Sequence, residues 1–223
     1  MRSITTFIIC AKAGRDAGIA LVACIDCDFR RAAGGLASLK KLLSPDNHQV
    51  LNVIELGTGC GLVGLALASI VPQSNVVLTD TSEVIELINA WNIPELNAAT
   101  SSTVAFEILN WDEPLRSSIS SINFELILLA DCIYNADSTP ALVRTISALA
   151  VNSPNALVVN ATKTRHSSEA IFFKLMAEAC FVTLDRTHVV APMGYSSSVT
   201  TDVEHIDICV FKHRIHDNVM PAV

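Results

Sequence analysis

Charge is scarce in this chain, and so are aromatic rings. Of 223 residues, 17% are charged and 5% aromatic, against 51% hydrophobic. A chain with so little charge and so much apolar surface does not stay solvated as a disordered polymer, which excludes disorder over most of its length. No Lys/Arg-dense run exists; the densest spots are Arg30-Arg31 and Lys40-Lys41, within a net charge of −7. The electrostatic footprint of a nucleic-acid binder is therefore missing, and no nucleic-acid partner is expected. No apolar run reaches the roughly 20 residues that cross a bilayer as a helix, so no membrane partner is expected either. The seven cysteines are odd in number and lack framework spacing. That argues against a disulfide scaffold and for a reducing compartment, the cytoplasm or also the nucleus. Cys24 and Cys27 form a C-x-x-C without a second pair and read as packing rather than metal or redox chemistry. His166, His188, His205, His213 and His216 have no ligand spacing and read as solvated, so no metal is expected. Serine-nucleophile and zinc-protease motifs do not occur.

What is present is alternation. The length suits one well-buried domain, too short for two, and a monomer is favoured. Residues 1–47 read as a helical lead-in, 48–213 as the core and 214–223 as a frayed tail. Arg2, the apolar Ile4–Cys10 and Ala11-Lys-Ala13 only faintly imitate a signal peptide. Residues 16–43 read mainly as helix, broken near Gly34-Gly35, and Ser44-Pro-Asp-Asn47 as a turn. Strands are expected at 50–56, 75–79, 103–109, 124–130 and 156–161, with helices at 61–71, 82–91, 137–151 and 167–180. Asn160-Ala-Thr162 matches a glycosylation sequon but ends a predicted buried strand, where no glycan fits. After residue 180 two strands follow in succession, 181–190 and 205–213, joined by a loop over 191–202. Parallel strands need crossover helices, whereas consecutive strands can form an antiparallel hairpin. The expected fold is α/β: a Rossmann-like, seven-stranded, mostly parallel sheet with one antiparallel strand and helices on both faces.

Chemistry concentrates where predicted strands end. Glu55-Leu-Gly57-Thr-Gly59-Cys-Gly61 closes the first strand and opens a helix. Such a turn lets a ligand approach the backbone, and the helix N-terminus offers free N–H groups. The turn alone fits several nucleotide-type cofactors. Glu55, unless it is simply a solvated strand-end carboxylate, would be ill placed beside a pyrophosphate and better placed beside the cationic S-adenosylmethionine. Asp80, ending the second strand, can bind ribose hydroxyls or cap the following helix. Trp111, in Asn110-Trp-Asp112, can cover an adenine face or cap the sheet. Asp131-Cys-Ile-Tyr134 closes the most apolar strand, and Ala130 is small enough for a cofactor to lie against it. An acid and a phenol at that edge can orient an incoming amine by accepting its hydrogen bonds, or can simply stabilise the loop.

Together, Val53–Gly64, Leu78-Thr-Asp80, Ile108–Pro114 and Phe124–Tyr134 resemble the family-16 protein-lysine methyltransferases, over about residues 16–212. The resemblance implies S-adenosylmethionine as cofactor and a lysine of a non-histone protein as methyl acceptor. It implies that Gly57, Thr58 and Gly59 contact the cofactor with Glu55 and Gly61 in support. Asp80 would hold the ribose, Trp111 and Ala130 would lie along the adenosyl group, and Asp131 and Tyr134 would face the amine. Lys163-Thr-Arg-His166 would border the substrate entrance. Arg15 stands where the family usually has tryptophan, and the strand pair that usually precedes it is mostly missing, which implies either a shortened or misassigned gene product or a cofactor site open on one side. Other readings are a nicotinamide-like small-molecule N-methyltransferase, a non-catalytic binding module that keeps the fold, and an NAD-dependent oxidoreductase.

Overall fold

The computed structural model describes residues 16–30, 35–44, 50–84, 100–163, 168–190 and 205–214. Arg15 and the segment before it, the Pro45–Asn47 part of the turn, residues 85–91 of the expected 82–91 helix, Thr164–His166, the 191–202 loop and the tail beyond 214 lie outside the described residues. Among the described residues seven strands form one sheet: β1 (Leu51–Leu56), β2 (Ser74–Asp80), β3 (Thr103–Ile108), β4 (Leu126–Ala130), β5 (Leu157–Lys163), β6 (Phe181–Val190) and β7 (His205–His213). Their order is β3-β2-β1-β4-β5-β7-β6, with β7 antiparallel to both its neighbours and every other pairing parallel.

Alternation along each strand sorts side chains to two covered faces, as a doubly covered sheet requires. Val53, Leu78, Leu128, Val159 and Ile208 fall on one face. There they meet Leu21 and Ile25 of α1 (Asp16–Phe29), Leu39 of α2 (Ala37–Leu42) and Leu67 of α3 (Leu62–Ile70). Ile54, Val77, Leu129, Val158 and Phe211 fall on the other. Ile119 of the short α4 (Ser117–Ser120), Leu142 and Ile146 of α5 (Thr139–Asn152), and Phe172 and Met176 of α6 (Ser168–Glu178) cover them. The side chain of Asn160, the sequon asparagine on β5, is wholly buried.

Two local details refine the expected boundaries. The stretch 16–43 is two helices, because buried Asp28 turns back and accepts the Leu36 N–H with both carboxylate oxygens, at 3.2 and 3.1 Å. Gly35 makes this possible: at φ 82°, its place would put a Cβ 1.7 Å from Asp28 Oδ1. The segment after β2 begins with a single 3₁₀ turn, Ser82–Val84, not an α-helix, as far as it is described. In Cys24-x-x-Cys27, the Cys24 thiol donates to Asp28 Oδ2 at 3.7 Å, and burial pushes its pKa up to about 12, which suits packing and not thiolate chemistry.

The sheet order reverses between β1 and β4, which lie side by side with Leu56 opposite Leu129. The chain winds outward from β1 through β2 to β3, then returns to β4 and winds the other way. Loops leaving the carboxyl ends of β1 and β4 therefore diverge and open a crevice. Helix α3 can sit close behind β1 and β2 because Gly64 has no side chain. A Cβ there would come within 2.3 Å of Leu78 Cδ2 and 2.7 Å of Glu55 Oε2. Gly64→Ala is therefore expected to lower unfolding free energy by about 1–3 kcal/mol, read as a fall in the denaturant midpoint; an unchanged midpoint contradicts this packing.

Candidate active site

The turn after β1 is built over a buried carboxylate. Glu55 lies on the α3 face of the sheet and is 3% exposed. Its Oε2 accepts the Thr58 hydroxyl at 2.8 Å and the Gly64 N–H at 2.8 Å. Burial, opposed by these hydrogen bonds, pushes its pKa up to about 7. Glu55 is thus neither a solvated strand-end acid nor a lining group of the cavity; it faces the underside of the turn. Thr58 is turned inward with it, and the Thr58 N–H continues the sheet by donating to Thr79 O at 2.9 Å. Gly61 N–H closes the turn onto Thr58 O at 2.8 Å.

The outer side of the turn faces the crevice. Gly57 has φ 61°, and a Cβ there would lie 3.0 Å from Cys132 Sγ and 3.1 Å from the Trp111 ring. Only a bare backbone lets these three residues meet. Gly59, at φ 56°, has nothing among the described residues within 4 Å of where a Cβ would be. Its N–H donates to Asp80 Oδ2 at 2.8 Å, while Asp80 Oδ1 accepts the Thr81 N–H at 2.7 Å. The Asp80 carboxylate is therefore locked against the glycine turn, and each oxygen keeps a lone pair for another donor. Its contacts are not those of a cap on the Ser82–Val84 turn.

Opposite stands the loop after β4. Asp131 adopts φ 59°, a left-handed conformation that asparagine and aspartate tolerate better than other side chains. Its N–H donates to Ala161 O at 2.9 Å, and its Oδ1 accepts the Lys163 N–H at 3.4 Å. Cys132 joins the two loops: its buried thiol donates to Leu56 O at 3.1 Å. Burial pushes that thiol's pKa up, so it serves as a joint and not as a nucleophile. Trp111 packs against the core behind α5, and its carbonyl accepts the Thr145 hydroxyl at 3.4 Å.

These loops enclose a cavity of about 240 Å³ that brings together Gly57, Asp80, Trp111, Asp131 and Tyr134, five of the residues singled out from the sequence. Thr81, Leu109, Asn110, Asp112, Cys132, Ser138 and Ala141 complete its lining. Glu55, Thr58 and Gly61 sit beneath it, and half-buried Ala130 packs beside it on the α1 face. Ser138 and Ala141 escaped sequence reasoning because they belong to the start of a helix that only the fold returns to the crevice. Asn135 fixes that start by accepting the Ser138 N–H and hydroxyl at 2.7 and 2.8 Å. Also unforeseen is a charge cluster on the β6–β7 hairpin. Asp207 accepts Arg186 Nη2 at 2.5 Å and pairs with His188 Nδ1, so His188 is not merely solvated.

The chemistry of the lining is one-sided. Asp80, Asp112 and Asp131 are acidic, Asp112 being paired with Arg144 at 3.5 Å, and no lysine or arginine lines the cavity among the described residues. Such a surface repels a pyrophosphate and attracts a cation with hydroxyl groups. The spare lone pairs of Asp80 suit a nucleoside, and the flat face of Trp111 suits a base; Gly59 does not itself line the cavity but reaches it through Asp80, which accepts its N–H.

Comparisons with known proteins agree with this geometry. A family model described as lysine methyltransferase matches residues 10–179. The chain is 32% identical over 139 residues to the protein-lysine N-methyltransferase EFM6 of Saccharomyces cerevisiae, covering 56% of this chain and 54% of that protein. It is 32% identical over 123 residues to the protein N-lysine methyltransferase METTL21A of Danio rerio, covering 54% and 53%. The chain thus spans about half the length of these curated relatives. Among solved structures, a TehB-like SAM-dependent methyltransferase from Corynebacterium glutamicum superposes with a TM-score of 0.53 at 15% identity, over 82% of this chain and 91% of that one. That likeness shows the fold.

The buried acid gives a pH test. A carboxyl raised from 4.5 to about 7 on folding binds its proton more tightly in the native state. Its contribution to stability is complete below pH 4.5 and is lost as pH rises toward 7. Glu55→Gln should flatten that part of the stability–pH profile in denaturant titrations; a variant that retains the wild-type slope refutes the assignment.

Proposed function

The chain belongs to the lysine methyltransferase family, and from that premise we propose that it transfers a methyl group from S-adenosylmethionine to a lysine side chain of a non-histone protein, in the cytoplasm or nucleus. One observation carries the proposal: Asp131 and Tyr134 share a single acidic cavity with Gly57 and Asp80 at the β1/β4 switch point. The cofactor supplies a methyl group on a positively charged sulfur, which suits the lining carboxylates. Asp80 would accept the ribose hydroxyls with the lone pairs that the Gly59 and Thr81 N–H groups leave free. The Trp111 indole would flank the base, and Gly57 would let the ligand lie on backbone.

The acceptor side needs a neutral amine held in line with the methyl group, and positioning contributes more there than a strong base does. Asp131 and Tyr134 offer a carboxylate and a phenol oxygen to accept the amine's hydrogen bonds, stripping water from it and aiming its lone pair. Tyr134 is 59% exposed at the rim, which favours an amine carried on a protein over one enclosed as a small molecule. A cavity edged by three carboxylates also speaks against NAD.

Asp80→Ala is expected to weaken S-adenosylmethionine binding at least tenfold in calorimetry, and an unchanged titration removes the ribose role. Asp131→Asn should leave that affinity within about twofold yet abolish transfer of labelled methyl to proteins of a cell lysate; undiminished labelling removes Asp131 from the acceptor side. NAD binding by the wild-type chain would overturn the cofactor assignment.

A further inference from the structure

The Asp131 carboxylate is supported from β5, and the end of β5 is fastened in turn to α1. β4 and β5 pair only as far as Ala130 opposite Ala161. Beyond that point the last two residues of β5, Thr162 and Lys163, are flanked on one side by β7, opposite Asp207 and Ile206. On the other side, the Lys163 N–H reaches Asp131 Oδ1 at 3.4 Å. A hydrogen bond of that length is weak by itself, and it depends on where the strand end sits. The Lys163 side chain runs to the first residue of α1: its Nζ lies 3.3 Å from Asp16 Oδ2. The two side chains are 13% and 29% exposed, so solvent and salt screen this pair less than one on the open surface. Helix α1 is itself anchored, with Ala17, Leu21 and Ile25 fully buried.

We propose that the Asp16–Lys163 ion pair is a clasp that fixes the end of β5 and thereby holds the Asp131 carboxylate in place, which makes Lys163 a positioning residue for the acceptor side of the reaction. The inference rests on the reading of Asp131 as the acceptor-side carboxylate.

The test uses the full chain carrying Asp16→Asn, Lys163→Met, both together, or Lys163→Arg. Amide hydrogen exchange is followed at Asp131 and Lys163, with Leu128 and Val159 in the strand interiors as references. Each single neutral variant is expected to speed exchange at Asp131 and Lys163 about tenfold and leave the references unchanged. The double variant should be no worse than Lys163→Met alone, since that change already removes the pair, and Lys163→Arg should restore protection. Methyl transfer to lysate protein should fall about tenfold in the neutral variants, with S-adenosylmethionine affinity within twofold of wild type. Unchanged exchange at Asp131, additive effects in the double variant, or equal loss of protection at Leu128 and Val159 would overturn the clasp. A wild-type chain that transfers no methyl at all would refute the functional reading instead, while the exchange measurements would still decide the clasp.

Discussion

One carboxylate, Glu55, organises the glycine-turn side of the crevice from below. Its Oε2 takes a hydroxyl from the turn and an N–H from the helix that follows, tying β1, the glycine turn and α3 at one point. The arrangement works only because α3 carries a glycine where it passes over the acid. With Thr58 drawn inward, the turn's other side is left as bare backbone. Gly59 can then donate to Asp80, and Gly57 can meet Trp111 and Cys132. An ionised acid would be costly at such depth, and the raised pKa is the physical expression of that cost.

The two halves of the crevice are held by different means. The β1 half is held by hydrogen bonds among groups close in sequence, from Glu55 to Gly64, with Asp80 added from the adjacent strand. The β4 half is assembled from distant segments. Asp131 leans on Lys163 of the next strand, and Cys132 bridges back to Leu56. A left-handed aspartate stores about 1–3 kcal/mol of backbone strain, and it persists because the sheet holds the residues on both sides. The first half is therefore a local motif that many chains could carry; the second exists only when β1, β4 and β5 are already side by side.

That division explains how much could be read from sequence. Strand after strand was visible because each is a short apolar run between turn residues. The switch to two consecutive strands at Phe181 foretold the antiparallel hairpin, which the sheet order shows. Asp131 and Tyr134 stood out because they close the most apolar strand, and the fold places them on the cavity with Gly57 and Asp80. The supporting place that the family resemblance implies for Glu55 fits its position beneath the turn, but its depth of burial was not read from the strand itself. The corrective signal was present: Leu51, Val53 and Glu55 alternate onto one face, and Gly64 opens room above it. Asp207, Arg186 and His188 could not be grouped in advance. Their meeting depends on the register of β6 against β7, which shifts between Thr183 and Asp185. Nor could Lys163 be tied to Asp16, 147 positions away in the chain.

The position of β7 has a bearing on how the molecule is made. Ribosomes deliver β5, then β6, then β7, yet in the finished sheet β7 lies between the other two. β6 therefore has no strand to join when it emerges, and β5 waits with an open edge beside a half-covered apolar face. Until residues 205–213 leave the exit tunnel, the nascent chain presents the kind of unpaired edge that invites aggregation. Threading that apolar strand into its slot completes both faces of the sheet at once. The same event brings Asp207 against Thr162, one residue before the lysine that supports Asp131. The Asp131 side of the cavity therefore waits on a strand made after β6, whereas the glycine turn draws only on β1, β2 and α3.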